Sequence, residues 1–228
     1  MDADAQIAPI AALLADPSRS TILWALCDGR TLPACELALL AGVTAPTVSY
    51  HLEKLIAGRL VAADRLGRHR YYRLADPTVV SLLEALAVVA PPAPARTFRA
   101  GQAAKAVRAA RTCYDHLAGV LGVQVTEALV SRRCLVPAGR DYTLTRAGER
   151  LLGRLEVDVE GARTAHRSFA RACLDWSERR HHLAGALGAA LLDRMLALRW
   201  LERAPSGRAV RLTDRGRRGL REHLHLRA

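Results

Sequence analysis

Thr44, Thr47, Ser49, Tyr50, His51 and Lys54 fall within eleven consecutive positions. Each carries a side chain that can donate or accept a hydrogen bond. Small and flat polar groups at this density suit the edges of bases in a DNA groove, where each base pair presents its own pattern of donors and acceptors. A little further on, Arg65, Arg68, His69 and Arg70 crowd around Gly67, and such cations suit backbone phosphates, which position a duplex without reading it. A second group, Cys113, Tyr114, His116, Phe169, Cys173 and Trp176, offers thiols, an imidazole and aromatic walls. Those are the components of a small-molecule pocket or a soft-metal site. Cys27 and Cys35 could supply a further thiol pair across adjacent helices, or serve as small buried hydrophobes.

The elements that must hold the first group are legible. Thr44 is a good N-cap and Pro46 falls in a first helical turn, where its missing N–H is not needed. Val48, Leu52, Leu55 and Ile56 recur at steps of three and four and predict one buried stripe, ended by Gly58. The stretch 35–40 predicts a short helix before the turn Ala41-Gly42-Val43, giving a helix-turn-helix. Leu60 to Ala63 and Tyr71 to Leu74 predict two strands around a cationic tip, 64–70, placed as a wing. Upstream, helices are expected over 5–15 and, after Asp16-Pro17, over 19–27. Downstream, Asp76-Pro77 starts a nearly wholly apolar helix, 79–89, that needs covering.

On the runs LLADPSRSTILWALCDG (13–29), ELALLAG, TVSYHLEKL, GRLV and GRHRYYRLAD, residues 7–90 resemble the ArsR/SmtB family of bacterial metal- and ligand-sensing repressors, and within it the mycobacterial cadmium/lead-sensing branch. The resemblance implies a winged-helix homodimer paired through its first and fifth helices, bound to operator DNA without effector and released when an effector binds. The family's metal sites do not carry over. Cys35 matches the second cysteine of a Cys-x-Cys run, but Pro33 takes the place of the first. Lys54 and Gly58 stand where the cadmium/lead branch has cysteines, and 79–89 lacks the histidine of the fifth-helix site.

The chain of 228 residues carries a net charge of +12, which invites a nucleic-acid reading, but the charge is not where the motif is. Residues 1–90 hold 8 Lys+Arg against 9 Asp+Glu, and residues 91–228 hold 26 against 13. Net charge is therefore weak support for DNA binding, although the basic half could add phosphate contacts. With 4% aromatic residues, the core must rest on Leu, Ala and Val between helices. Five irregularly spaced cysteines form no disulfide framework. No apolar run approaches the roughly 20 residues of a membrane span, and the acidic start lacks a signal peptide's cationic region. A cytoplasmic protein is expected.

Three domains of organisation follow: 1–90 for DNA binding and dimerisation, a Pro-rich linker at 91–96, and 97–228. The last region contains a repeat. HLAGVLG (116–122) returns as HLAGALG (182–188), and L-T-x-x-G recurs at 144–148 and 212–216. The copies, about 113–157 and 179–225, predict short helix, turn, second helix, strand, strand and helix. A helix is also expected from 98 through 121, and another carrying Phe169, Cys173 and Trp176 on one face. The second helix of each copy should be a turn shorter than 44–57, which points to packing, pairing or an effector pocket rather than base reading. The expected fold is mainly α with small β wings, an α+β winged helix-turn-helix domain plus a helical C-terminal region of two degenerate winged-helix-like repeats.

Enzymatic motifs are missing. Gly119-x-x-Gly122 and Gly185-x-x-Gly188 lack the strand and acid of a nucleotide loop, and His181-His182, if helical, would point apart. The expectation is a non-enzymatic, homodimeric repressor of an operator in double-stranded DNA, with no cofactor required for binding and a soft metal ion, small molecule or redox signal as effector. The rival is a protein- or RNA-interaction module that reads no operator.

Overall fold

Capping residues set where the first helices begin. The computed structural model describes residues 5–67, 69–91, 98–205 and 207–227, which fall into two compact units, Met1–Leu83 and Glu84–Ala228. In the first, α1 (Ile7–Leu14) precedes α2 (Pro17–Ala25), whose cap Asp16 accepts from the Arg19 N–H at 2.9 Å. A two-residue strand β1 (Leu32–Pro33) leads into α3 (Ala34–Ala41), which stops at Gly42, φ 65°. Only a residue free of a Cβ takes that conformation at no steric cost. Thr44 then caps α4 (Ala45–Ala57), accepting from the Thr47 N–H at 3.4 Å. α4 packs on α2 and α3 and buries Val48, His51, Leu52 and Leu55. Each fully buried leucine contributes about 1.5–3 kcal/mol.

The wing is larger than expected. β2 (Val61–Leu66) and β3 (His69–Leu74) pair in register from Val61↔Leu74 to Leu66↔His69, with Gly67 in a turn after β2. Arg65 and Arg70 are thus cross-strand partners rather than tip residues. β1 joins the far side of β3, making a three-stranded sheet in the order β1-β3-β2. α5 (Pro77–Val89) follows, and the division between the units falls within it. Arg68, and residues 92–96 of the expected linker, lie outside the described residues.

The second unit departs most from expectation. α6 (Phe98–Ala109) stops short of the continuous helix expected over 98–121, and the chain forms the hairpin β4 (Arg111–Cys113) and β5 (His116–Ala118). Tyr114 at φ 59° and Gly119 at φ 78° both interrupt the expected helix, and an added Cβ at Gly119 would come 2.5 Å from the Arg108 carbonyl oxygen. No right-handed helix continues through that residue. α7 (Gly119–Ser131) starts there instead, followed by β6 (Leu135–Ala138), β7 (Asp141–Leu144), α8 (Arg146–Arg154) and α9 (Val159–Thr164). The order then recurs: β8 (Arg171–Leu174), β9 (His181–Ala184), α10 (Gly185–Ala197), β10 (Leu201–Arg203), β11 (Val210–Leu212) and α11 (Asp214–Leu224). Each series opens on a hairpin rather than the expected short helix. α7 and α10 are 13 residues long, the same as α4, not a turn shorter. Cys173 lies on a strand, so the expected helical face of Phe169, Cys173 and Trp176 does not exist.

One backbone device recurs in both units. α4, α7 and α10 are each followed by an arginine in the left-handed region, Arg59, Arg133 and Arg199, at φ 57°, 54° and 55°. The next N–H donates back to the carbonyl five residues earlier, Leu60 to Leu55, Cys134 to Leu129 and Trp200 to Met195, at 2.8–2.9 Å. This closure satisfies carbonyls that the helix end leaves open, and it turns the chain into a strand each time.

Candidate functional site

On α4 the buried stripe leaves Thr47, Ser49, Tyr50 and Lys54 exposed, with Thr44 exposed at the cap. Ser49 Oγ donates to the Ala45 carbonyl at 3.0 Å, and Lys54 Nζ lies 5.4 Å from the centre of the Tyr50 ring. Tyr50 is 55% exposed. His51 differs: it is 7% exposed and cannot reach a duplex. Its position explains this, three residues after Val48 and four before Leu55, on the buried face. The expectation that His51 reads bases is corrected. On the wing, Arg65, His69 and Arg70 are exposed, Ala63 joins them around a shallow open concavity, and Arg70 lies over Tyr72 at 5.4 Å. Asp64 does not neutralise these cations, because it pairs with Arg73 at 2.8 Å.

The thiols sort differently from expectation. Cys27 is buried and Cys35 exposed, and among the described residues neither belongs to a group of three or more metal-ligating side chains. Cys113, His116 and Cys173 do come together, and His182 joins them: their ligand atoms all lie within 4.8 Å of one another. Tyr114, Phe169 and Trp176 take other roles. Tyr114 occupies the β4–β5 turn at φ 59°, Phe169 packs against the main core, and the Trp176 ring carries the Arg111 guanidinium at 4.5 Å.

The two hairpins build this cluster in the same way. Cys113 is the cross-strand partner of His116, and Cys173 is the cross-strand partner of His182. Cross-strand partners project to the same face of a hairpin, so each pair presents one sulfur and one imidazole. The two rings meet with centroids 5.1 Å apart. A strand also separates His181 from His182, leaving the first exposed and the second fully buried. His182 was missed because it was read as helical, although HLAG heads both copies of the repeat and so pairs it with His116.

Carboxylates stand behind both imidazoles. Nδ1 of His116 lies 3.2 Å from Asp115 Oδ1, and Nδ1 of His182 lies 3.2 Å from Asp175 Oδ2. Asp175, fully buried, also pairs with Arg111 at 2.9 Å and accepts from the Gly119 N–H at 2.7 Å and the Ser177 hydroxyl at 2.7 Å. Burial favours a neutral Asp175, yet His182, Arg111 and Ser177 hold its carboxyl well below the usual carboxylate range. Burial pushes His182 down, but Asp175 and the Cys173 sulfur outweigh it and raise the imidazole to about 9. A hydrogen bond with Cys113, aided by both imidazoles, holds the Cys173 thiol far below its ordinary range, and the same bond with burial pushes Cys113 well up.

Comparison with known proteins bears on the first unit and on the whole chain. Residues 16–63 match the pattern of the bacterial regulatory protein, arsR family. The chain is 46% identical over 221 residues to the uncharacterized HTH-type transcriptional regulator YdfF of Bacillus subtilis, covering 97% of this chain and 98% of that one. Over 87 residues it is 39% identical to a transcriptional repressor SmtB homolog of Synechocystis, 38% of this chain and 65% of that protein. Over 86 residues it is 40% identical to the HTH-type transcriptional regulator CmtR of Mycobacterium bovis, 38% of this chain and 72% of that protein. Among the described residues no helix is long and apolar enough to cross a membrane. A near full-length relative, a matching family pattern and an exposed polar helix beside a cationic wing converge: this chain belongs to the arsR family of winged helix-turn-helix, DNA-binding transcriptional regulators.

Proposed function

We propose that the protein is a homodimeric repressor whose paired α4 helices read an operator and whose wings hold the flanking phosphates. The observation that carries this reading is the exposed face of α4, with Thr47, Ser49 and Tyr50 open and no buried residue between them except Val48. Thr44 and Lys54 flank that face, and Arg65, His69 and Arg70 supply the backbone contacts; Arg68 belongs to the same proposal by sequence alone. Pairing is supported by apolar side chains without cover in the single chain: Ile7 on α1 is 73% exposed, and Leu82, Leu86 and Val89 on α5 are exposed as well. Repression is supported by the Synechocystis relative, a transcriptional repressor SmtB homolog. Release would follow when an effector favours a dimer geometry that no longer matches the half-site spacing.

The test is fluorescence anisotropy on the DNA upstream of the chain's own gene, with sedimentation for the dimer. Tyr50→Ala and Ser49→Ala should each weaken operator binding by about 1–3 kcal/mol and leave non-specific binding unchanged. Equal loss on unrelated duplexes would remove α4 from base reading.

A further inference from the structure

We infer that Cys113, His116, Cys173 and His182 form a closed four-ligand site for a thiophilic divalent cation of the zinc and cadmium class, held between the two hairpins of the second unit. Two sulfurs and two imidazole nitrogens are a donor set that favours tetrahedral d¹⁰ ions over hard, oxygen-seeking cations. Bonds of about 2.0–2.3 Å space tetrahedral ligand atoms roughly 3.3–3.8 Å apart. The four atoms, all within 4.8 Å of one another, therefore need to draw in by on the order of 1 Å.

Three further observations point to a ligand. Nε2 of His116 and both ring nitrogens of His182 are buried with no hydrogen-bond partner, in residues that are 7% and 0% exposed. An unsatisfied buried nitrogen costs about 1–3 kcal/mol, and here there are three in one place. Secondly, Nδ1 of His116 is hydrogen-bonded to Asp115 at 3.2 Å, the arrangement that fixes the tautomer and orientation of a metal-bound histidine and leaves Nε2 as the ligand atom, and Nδ1 of His182 lies 3.2 Å from the Asp175 carboxylate as an ion-pair contact. Thirdly, the outer shell is itself fixed. Asp175 is anchored by Arg111 and the Gly119 N–H, and Asp115 is anchored by an ion pair with Arg167. A single Cys and a single His come from each hairpin, so the ion would join the two repeated halves of the unit.

None of the four positions coincides with Cys35, Lys54 or 79–89, so the site is separate from the positions that the family resemblance brings up. It also stands independently of operator binding, and the two can fail separately. The full-length protein, reduced and stripped with chelator, is titrated anaerobically with Co²⁺. The expected result is the absorption of tetrahedral cobalt with sulfur charge-transfer bands, saturating at one ion per chain and displaced by Zn²⁺ or Cd²⁺. Cys173→Ser and His182→Gln should each abolish that spectrum, Asp175→Asn should weaken binding about 10–100-fold, and Cys35→Ser should change nothing. Circular dichroism verifies that each variant is folded, and His182→Gln serves if Cys173→Ser is not. An octahedral spectrum, binding well below one equivalent, or a signal retained in both folded ligand variants overturns the site. Anisotropy on operator DNA with and without the ion reads the regulator proposal separately.

Discussion

Helices α4 and α7 have the same length, the same left-handed arginine at their ends and the same lead into a hairpin, yet they do opposite work. α4 buries four of its 13 residues and leaves a polar face open. α7 buries seven, among them Leu121, Val125 and Leu129 in the main core of the second unit. The element that comes before explains the contrast. α4 follows another helix across a turn and lies at the surface, whereas α7 starts directly from a hairpin strand. Its Thr126 hydroxyl accepts from the Leu183 N–H at 2.8 Å, tying it beneath β9. Backbone pattern alone therefore does not make a reading helix. Exposure and side-chain chemistry decide it.

The largest effect expected from breaking this contrast lies in the second unit. Asp175→Asn leaves Arg111, fully buried, without its carboxylate partner, and should cost about 3–5 kcal/mol in urea unfolding. A cost near zero would mean that the buried pair organises nothing. Next come the cationic hairpins. Arg65→Ala with Arg70→Ala should weaken binding to all duplexes alike and lower the salt slope by about 2. Arg140→Ala, exposed at the equivalent turn of β6 and β7, should change neither quantity; a fall in the slope there would make the second unit a DNA contact too. The smallest effect separates the caps. Thr145 accepts from the Gly148 N–H at 3.1 Å and donates to the Arg133 carbonyl at 2.7 Å, whereas Thr44 holds the Thr47 N–H at the longer 3.4 Å and otherwise meets the exposed Thr47 hydroxyl at 2.8 Å. Thr145→Ala should cost about 1–2 kcal/mol and Thr44→Ala about 0.5 kcal/mol, read from thermal midpoints.

The first unit was legible because its signals are local. Proline, Thr and Asp caps, one stripe of Val and Leu, and a glycine at a positive φ fix its elements within a few residues of each other. His51 shows what a list of polar residues overlooks: spacing placed it on the buried face, and chemistry alone suggested the other. In the second unit three-residue strands carry no period long enough to tell from a helix. The candidate metal cluster joins residues 69 positions apart from first to last, and only the repeated HLAG gave a sign that His116 and His182 correspond.

Because each cysteine faces its histidine across a ladder, the cluster depends on strand register. Side chains alternate along a strand, so a slip of one residue in the pairing of β4 with β5 would turn one donor of that hairpin to the opposite face. A slipped ladder should therefore lose the ion, while a longer turn at Tyr114-Asp115 that keeps Cys113 opposite His116 should retain it.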